Sequence, residues 1–346
     1  MTLAARIHAA RDLRIEPVVL REPEPDEVVV ALGAGGICGS DLSYYGKGRV
    51  GDFSLREPMV LGHEVAGTVA RVGAAVTAVR PGERVAVDPS RPCRACDFCR
   101  AGRSNLCRSM RFFGSAAVFP HVQGAFSEEF LARADQCVAV PDAMPMRVAA
   151  CGEPLAVALH GVRRAGELLG RHVVIAGAGP IGLLCLMAAR LAGARRVVCT
   201  DLAAAPLAIA REIGAAETVN VAEAPERLAA YEADKGTFDV ALEATGSPAA
   251  LASLFRVVRP GGRVVQLGMM PPGDIPVPAN LLMAREIDFV GAFRFHEEFR
   301  TAVSLLAAGR LDVGPILSAE LPMGRAGEAF ALAGDRSRAI KVHLTL

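Results

Sequence analysis

The sequence predicts an α/β fold in two parts, a β-rich segment and a doubly wound parallel sheet. Three observations carry this prediction. Residues 1 to about 150 are rich in Val, Gly and Pro, and short apolar runs there are separated by turn residues. From about residue 150, continuous apolar strands alternate with Ala-Leu helices, the pattern of a parallel sheet covered on both faces. A glycine-rich turn, GAGPIG, stands where the first of those strands meets its helix.

In the first part the strand runs are EVVVAL, HEVAGTVARVG and GERVAVDP, which show few helical periods. In the second, HVVIAG, RVVCTD, ETVNV, FDVALEATG, GRVVQLG and EIDFVGAF read as strands. GPIGLLCLMAARLAG, APLAIAREIG, SPAALASLFRVVRP and HEEFRTAVSLLAAG read as helices. The segment RPGG (Arg259 to Gly262) reads as a helix stop and turn. After about residue 310 the chain returns to short mixed segments. There is no internal repeat and no low-complexity linker. The 346 residues suffice for two domains with ordinary cores.

Composition excludes several classes of partner. Lys plus Arg number 38 against 37 Asp plus Glu, a formal net charge of +1, which gives no electrostatic reason to expect nucleic acid or an acidic membrane. The opening MTLAARIHAARDLRI lacks the apolar core and cleavage pattern of a signal peptide. The longest uncharged run, Val173 to Ala189, falls short of the ~20 residues a bilayer needs and carries three glycines and a proline. A cytoplasmic location is expected, where disulfides are rare, so the nine cysteines need another use.

The glycine turn is Gly177-Ala178-Gly179-Pro180-Ile181-Gly182, a G-x-G-x-x-G between a strand and a helix. In that context it reads as a dinucleotide-binding turn. Gly177 allows the tight bend, Gly179 lets the backbone approach a pyrophosphate, and Gly182 lets helix and strand pack closely. Pro180 suits a first helical turn, followed by Ile181. The next strand ends in Asp201, placed to accept the adenosine ribose hydroxyls and repel a 2′-phosphate, which favours NAD over NADP. A helix N-cap is the other use for Asp201.

RPCRACDFCRAGRSNLC places Cys93, Cys96, Cys99 and Cys107 in a C-x-x-C-x-x-C-x7-C pattern. Four thiolates close a tetrahedral zinc and leave no open position, so this set is structural. Asp97, Arg91, Arg94, Arg100 and Arg103 make the segment too polar to be core. A second set is spread along the chain: Cys38 in GGICGSD, His63 and Glu64 in GHEVAG, and Glu153 in the apolar run AACGEPLAVALHG. Taken singly, Cys38 and His63 suit ordinary buried roles. A carboxylate such as Glu153 in apolar surroundings wants a cation or a proton. Thiolate, imidazole and carboxylate around an open position describe a catalytic zinc.

GGICGSD, GHEVAGTVARVG, the four-cysteine loop, EPLAV and GAGPIG, in this order and across essentially the whole chain, resemble the zinc-dependent medium-chain dehydrogenases/reductases. The EPLAV glutamate resembles the polyol (sorbitol) branch. Within it, DPSRPC, MRFFGSAAVFPHVQGAF and GAFRFHEEFRTAVSLLAAG are most similar to members acting on the sugar acid L-idonate. The resemblance implies a GroES-like β-rich catalytic domain over residues 1–147 and 294–346, with a structural zinc loop at 91–107, and a Rossmann NAD-binding domain over 148–293. It implies two zinc ions per chain. Cys38, His63 and Glu153 would lie at the catalytic one, with Glu64 an alternating or direct ligand and Cys151 a rival to Glu153.

The resemblance further implies that Ser40 touches the substrate oxygen. Tyr44, Phe113, Phe293 and Arg294 would line the pocket, Arg294 facing a sugar-acid carboxylate or pairing instead with Glu297 or Glu298. The proton-relay histidine of many relatives would fall at Ser43 and is absent, leaving Ser40, the coenzyme ribose and water as the route. The expected partner is a small sugar acid or polyol, and the expected assembly a homotetramer or dimer. The competing functions are a sorbitol/xylitol or threonine dehydrogenase, a zinc-free NADPH quinone reductase and a non-enzymatic zinc-ribbon binding protein. Cys137, Cys185 and Cys199 carry no assigned role, and Cys185 and Cys199, in apolar helix and strand runs, read as core.

Overall fold

The computed structural model describes all 346 residues and divides into two compact units. The first comprises Met1–Glu153, Phe299–Asp335 and Lys341–Leu346. The second comprises Pro154–Glu298 and Arg336–Ile340.

The first unit is built on a seven-stranded sheet. Strand Glu27–Gly36 lies at its centre, with Glu64–Val72 on one side and Lys341–Thr345 on the other, and Glu129–Arg133 pairs to it as well. Arg84–Val87 and Cys137–Ala139 extend one edge, and Leu317–Pro322 closes the other. The EVVVAL run is buried except at the half-buried Ala31, and Val28, Val29 and Val30 are each 0% exposed. A separate hairpin, Thr2–Ala9 with Asp12–Val18, joins the short strand Met59–Val60 in a three-stranded sheet. The mixed segments after residue 310 resolve into strand Leu317–Pro322, helix Ala326–Gly334 and strand Lys341–Thr345, so the first sheet is completed by distant sequence. Helix Glu298–Ala307 buries Phe299, Ala302, Val303 and Leu306, the i, i+3, i+4, i+7 stripe of an amphipathic helix.

The second unit is a six-stranded parallel sheet. Its order is Glu217–Asn220, Arg196–Asp201, His172–Ala176, Phe238–Glu243, Val258–Gln266, Asp288–Gly291. In chain order that is 3-2-1-4-5-6, the doubly wound arrangement, whose ligand crevice opens where the order reverses, at the carboxyl ends of the first and fourth strands. Its strands are continuous apolar runs because helices cover both faces. Burial of each Val or Ile contributes about 1.5–3 kcal/mol, and Val173, Val174, Ile175, Val198 and Leu242 are all 0% exposed. The glycine turn leaves the first strand at the crevice.

One reading is corrected. RPGG does not separate helix from strand. Helix Pro248–Val257 ends as expected, but Val258–Gln266 is a single strand containing RPGG. Its register jumps from the Phe238–Val258 pair to the Val240–Arg263 pair. The extra residues form a bulge, and Gly261 supplies the left-handed backbone it needs, at φ +71°.

Candidate active site

Strand Glu27–Gly36 runs into Cys38, which is extended (φ −94°, ψ 159°) and caps helix Gly39–Lys47. At Gly36 a Cβ would stand 2.2 Å from Glu64 Oε2, so a larger residue would displace that carboxylate. The ligand atoms of Cys38, His63 and Glu64 all lie within 4.8 Å of one another. Asp41 sets this convergence. It is 0% exposed, and its Oδ2 accepts the Cys38 N–H at 3.0 Å while its Oδ1 accepts the Gly62 N–H at 3.2 Å. One carboxylate therefore ties the Cys38 loop to the His63 loop. Asp41 Oδ1 also faces His63 Nδ1 at 3.8 Å. Sequence reasoning passed over Asp41; its position three residues after Cys38 was the available signal.

The second residue missed was Lys341. Its Nζ donates to Glu64 Oε1 at 2.8 Å, to Glu64 Oε2 at 2.7 Å and to the Ile37 carbonyl at 3.1 Å. Both partners are buried, at 2% and 1% side-chain exposure. Burial alone pulls the Lys341 pKa down, but the charge of Glu64, joined by Cys38, outweighs it and raises it. A third is Phe112, whose ring lies 5.6 Å from that of His63.

These groups fit a metal. His63 Nδ1 is buried without a hydrogen-bond partner. Burial first, and the Glu64 charge second, push the Cys38 thiol up to about 12. A bound Zn²⁺ supplies the positive charge that a thiolate, an imidazole and a carboxylate need in such a place. Glu153 is buried in the same unit but lies outside the tight cluster. Burial raises it well above the usual carboxylate range; His63 opposes this, and Glu64 and Cys38 reinforce it. Cys151 is 0% exposed, its thiol pushed up to about 12 by burial. Ser40, in the first turn of helix Gly39–Lys47, sets its side chain against the Cys38 thiol.

The four loop cysteines form the other cluster, again within 4.8 Å. Backbone N–H groups point at the sulfurs: Cys93 to Cys107 Sγ at 3.2 Å, Cys96 to Cys93 Sγ at 3.4 Å and Ser109 to Cys107 Sγ at 3.4 Å. Backbone donation from Arg108 and Cys99 lowers the Cys96 thiol to about 6, while burial pushes the Cys99 thiol up to about 12. Arg94 pairs with Asp135 and so anchors the loop to the body of the unit.

Tyr44 and Phe113 belong to the first unit, Phe293 and Arg294 to the second. In the first, Tyr44 is buried and its hydroxyl accepts the Ala116 N–H at 2.9 Å. Phe113 packs edge-on against Phe130. In the second, Phe293 is 44% exposed, and Arg294 stacks over its ring at 4.9 Å. Glu298, one candidate partner for Arg294, bonds His160 at 3.1 Å and Arg163 at 3.3 Å.

In the glycine turn, Gly177 sits at φ +94°. Gly179 caps helix Pro180–Leu191, with Pro180 in its first turn and Ile181 following. At Gly182 a Cβ would stand 1.7 Å from the Gly177 carbonyl, so no other residue fits. Asp201 Oδ2 accepts the Ala178 N–H at 2.7 Å, which fixes strand end and turn together. Asp201 Oδ1 accepts Leu202 N–H and Ala203 N–H.

Comparison with known proteins agrees with this geometry. Residues 24–142 match the alcohol dehydrogenase GroES-like domain, and residues 180–308 match the zinc-binding dehydrogenase family. L-idonate 5-dehydrogenase (NAD(P)(+)) of Escherichia coli (strain K12) is 43% identical over 316 residues, 91% of each chain. The chain belongs to the zinc-binding medium-chain dehydrogenases. Sorbitol dehydrogenase of Gallus gallus is 38% identical over 99% of this chain and 96% of its own, which places the chain in the polyol branch. The crystal structure of L-idonate 5-dehydrogenase from Escherichia coli superposes with a TM-score of 0.94 at 39% identity, covering 100% of this chain and 98% of that one. The chain is thus an NAD(P)-dependent oxidoreductase of the alcohol and polyol class with a GroES-like and a Rossmann part, and the zinc-ribbon reading falls. No helix is long and apolar enough to cross a membrane.

Proposed function

We propose that this dehydrogenase oxidises a secondary hydroxyl of a sugar acid, L-idonate to 5-keto-D-gluconate, with NAD(P) as hydride acceptor. The observation that carries the reading is the buried convergence of Cys38, His63 and Glu64, supported by the 43% identity to an L-idonate 5-dehydrogenase. Cys38, His63 and Glu64 would hold the catalytic zinc, with Glu153 beside them, and Cys93, Cys96, Cys99 and Cys107 the structural one. Bound there, zinc lowers the pKa of a coordinated hydroxyl.

The protein's own groups do the rest. Asp41 keeps Cys38 and His63 in register, and Lys341 neutralises Glu64. Ser40 Oγ accepts the substrate's hydroxyl proton and releases its own toward water, since position 43 is a serine. Glu153, buried beside this cluster and raised by burial while His63 opposes it, would serve the zinc or a substrate oxygen. Tyr44, Phe113 and Phe293 wall the substrate, and Arg294 makes a charge-assisted bond to its carboxylate. Gly177, Gly179, Pro180, Ile181 and Gly182 receive the pyrophosphate, and Asp201 the adenosine ribose. We assign a homotetramer in the cytoplasm. The exposed edge strand Asp288–Gly291, which carries Phe289, supports assembly, and nine unpaired cysteines suit a reducing compartment.

A neutral-polyol activity is the second reading, favoured by the 38% identity to a sorbitol dehydrogenase. Initial rates on L-idonate, 5-keto-D-gluconate, sorbitol, xylitol and L-threonine, with and without chelator, test both. L-idonate turnover that vanishes on chelation is expected. Turnover of sorbitol or xylitol without L-idonate would move the assignment to a neutral polyol, and turnover that survives chelation would remove the catalytic zinc.

A further inference from the structure

We propose that Arg336 sets coenzyme choice: its guanidinium offsets the Asp201 carboxylate and turns to the 2′-phosphate of NADP, so the chain binds NADP alongside NAD. The inference rests on reading the glycine turn as a dinucleotide site.

Asp201 does not stand alone at its strand end. Its side chain is 4% exposed and accepts four hydrogen bonds. Three come from backbone N–H groups of Ala178, Leu202 and Ala203 and are fixed by the turn. The fourth comes from Arg336 Nη2 at 3.1 Å. Arg336 is 135 residues away in sequence and opens the short segment Arg336–Ile340 that belongs to the second unit. Its side chain is 54% exposed. The same Nη2 lies 3.2 Å from where a Gly179 Cβ would stand, so one guanidinium covers both the acid and the middle glycine of the turn.

An acid at this strand end discriminates against NADP by charge repulsion. With a cation 3.1 Å from it, that repulsion is largely cancelled. The backbone donors cannot leave Asp201, whereas a half-exposed arginine can. If the incoming ribose carries a 2′-hydroxyl, the carboxylate accepts it where the guanidinium stood. If it carries a phosphate, the planar guanidinium meets it with charge-assisted, bidentate hydrogen bonds. The nine residues after Asp201, LAAAPLAIA, contain no Lys or Arg.

The test is isothermal titration calorimetry of the zinc-loaded full chain with NAD, NADP, 5′-AMP and 2′-AMP, for the unmodified protein, Arg336→Ala and Arg336→Lys. The unmodified chain is expected to bind NADP within about tenfold of NAD. Loss of a charged hydrogen bond makes Arg336→Ala weaken NADP and 2′-AMP by about 10- to 100-fold, while NAD and 5′-AMP change less than about threefold. Arg336→Lys restores part of the loss, because it keeps the charge and loses the fork. Equal weakening of NAD and NADP would overturn the proposal, as would no weakening of either, or an unmodified chain that binds NAD and rejects NADP. An unmodified chain that binds neither coenzyme would instead refute the dinucleotide site itself.

Discussion

Lys341→Met removes the cation paired with Glu64 and leaves a hydrophobic side chain of similar length. At 2.7 Å and an effective dielectric of ~20, the attraction is about 6 kcal/mol in gross terms. Most of that is offset by taking both charges out of water. The single deletion is different, because it leaves Glu64 buried and unpaired and the Ile37 carbonyl without its donor. Such deletions cost about 3–5 kcal/mol. For a unit of this size each kcal/mol moves the melting temperature by roughly 2–4 °C, so a drop of roughly 6–20 °C is expected. Calorimetry on the chelated chain reads it without interference from metal. The double variant Glu64→Gln/Lys341→Met removes both charges and should recover more than half of the loss. A single-variant shift under roughly 2 °C, or a double variant no more stable than Lys341→Met, would refute the claim that this pair organises the site.

Two further outcomes are expected. Metal analysis should find two zinc ions per chain. Cys38→Ser and His63→Ala should lose one ion and turnover while the circular dichroism stays unchanged, whereas Cys93→Ser should lose the other ion and melt earlier; a variant that keeps both ions breaks the assignment of its site. Glu298 gives the pH prediction. Burial pushes its carboxyl up, but hydrogen bonds from His160 and the His296 N–H outweigh this and hold it down at about 2. A depressed carboxyl contributes stability above its ordinary value of 4.5 and loses it as pH falls toward about 2. Urea unfolding from pH 5 to pH 2.5 should show on the order of 2–3 kcal/mol of this dependence missing from Glu298→Gln; identical slopes would contradict it.

What the sequence discloses here is what is local. The four-cysteine loop spans fifteen residues and the glycine turn six, and in each the spacing is itself the geometry. The parallel sheet was legible because burial on both faces leaves no polar alternation along its strands. Lys341 and Arg336 were not legible, and Asp41 showed only in its place three residues after Cys38. Asp41 acts by joining two loops, Lys341 meets Glu64 across 277 positions and Arg336 meets Asp201 across 135. Each reads in sequence as an ordinary surface charge. RPGG misled for the opposite reason: proline and glycine favour a turn, but pairing with the neighbouring strand absorbed the extra residues as a bulge.

Strand Lys341–Thr345 pairs with Glu27–Gly36, so the first sheet depends on residues translated some three hundred positions apart. During synthesis the Cys38, His63 and Glu64 loops emerge early and must wait for Lys341 before Glu64 has its counter-charge. Most of the second unit, from Pro154 to Glu298, is continuous and leaves the ribosome in the interval. The Glu64–Lys341 pair is therefore completed last, although the Cys38, His63 and Glu64 cluster is made first. A ribosome stalled upstream of residue 341 would leave Glu64 without its counter-charge while most of the second unit is already made.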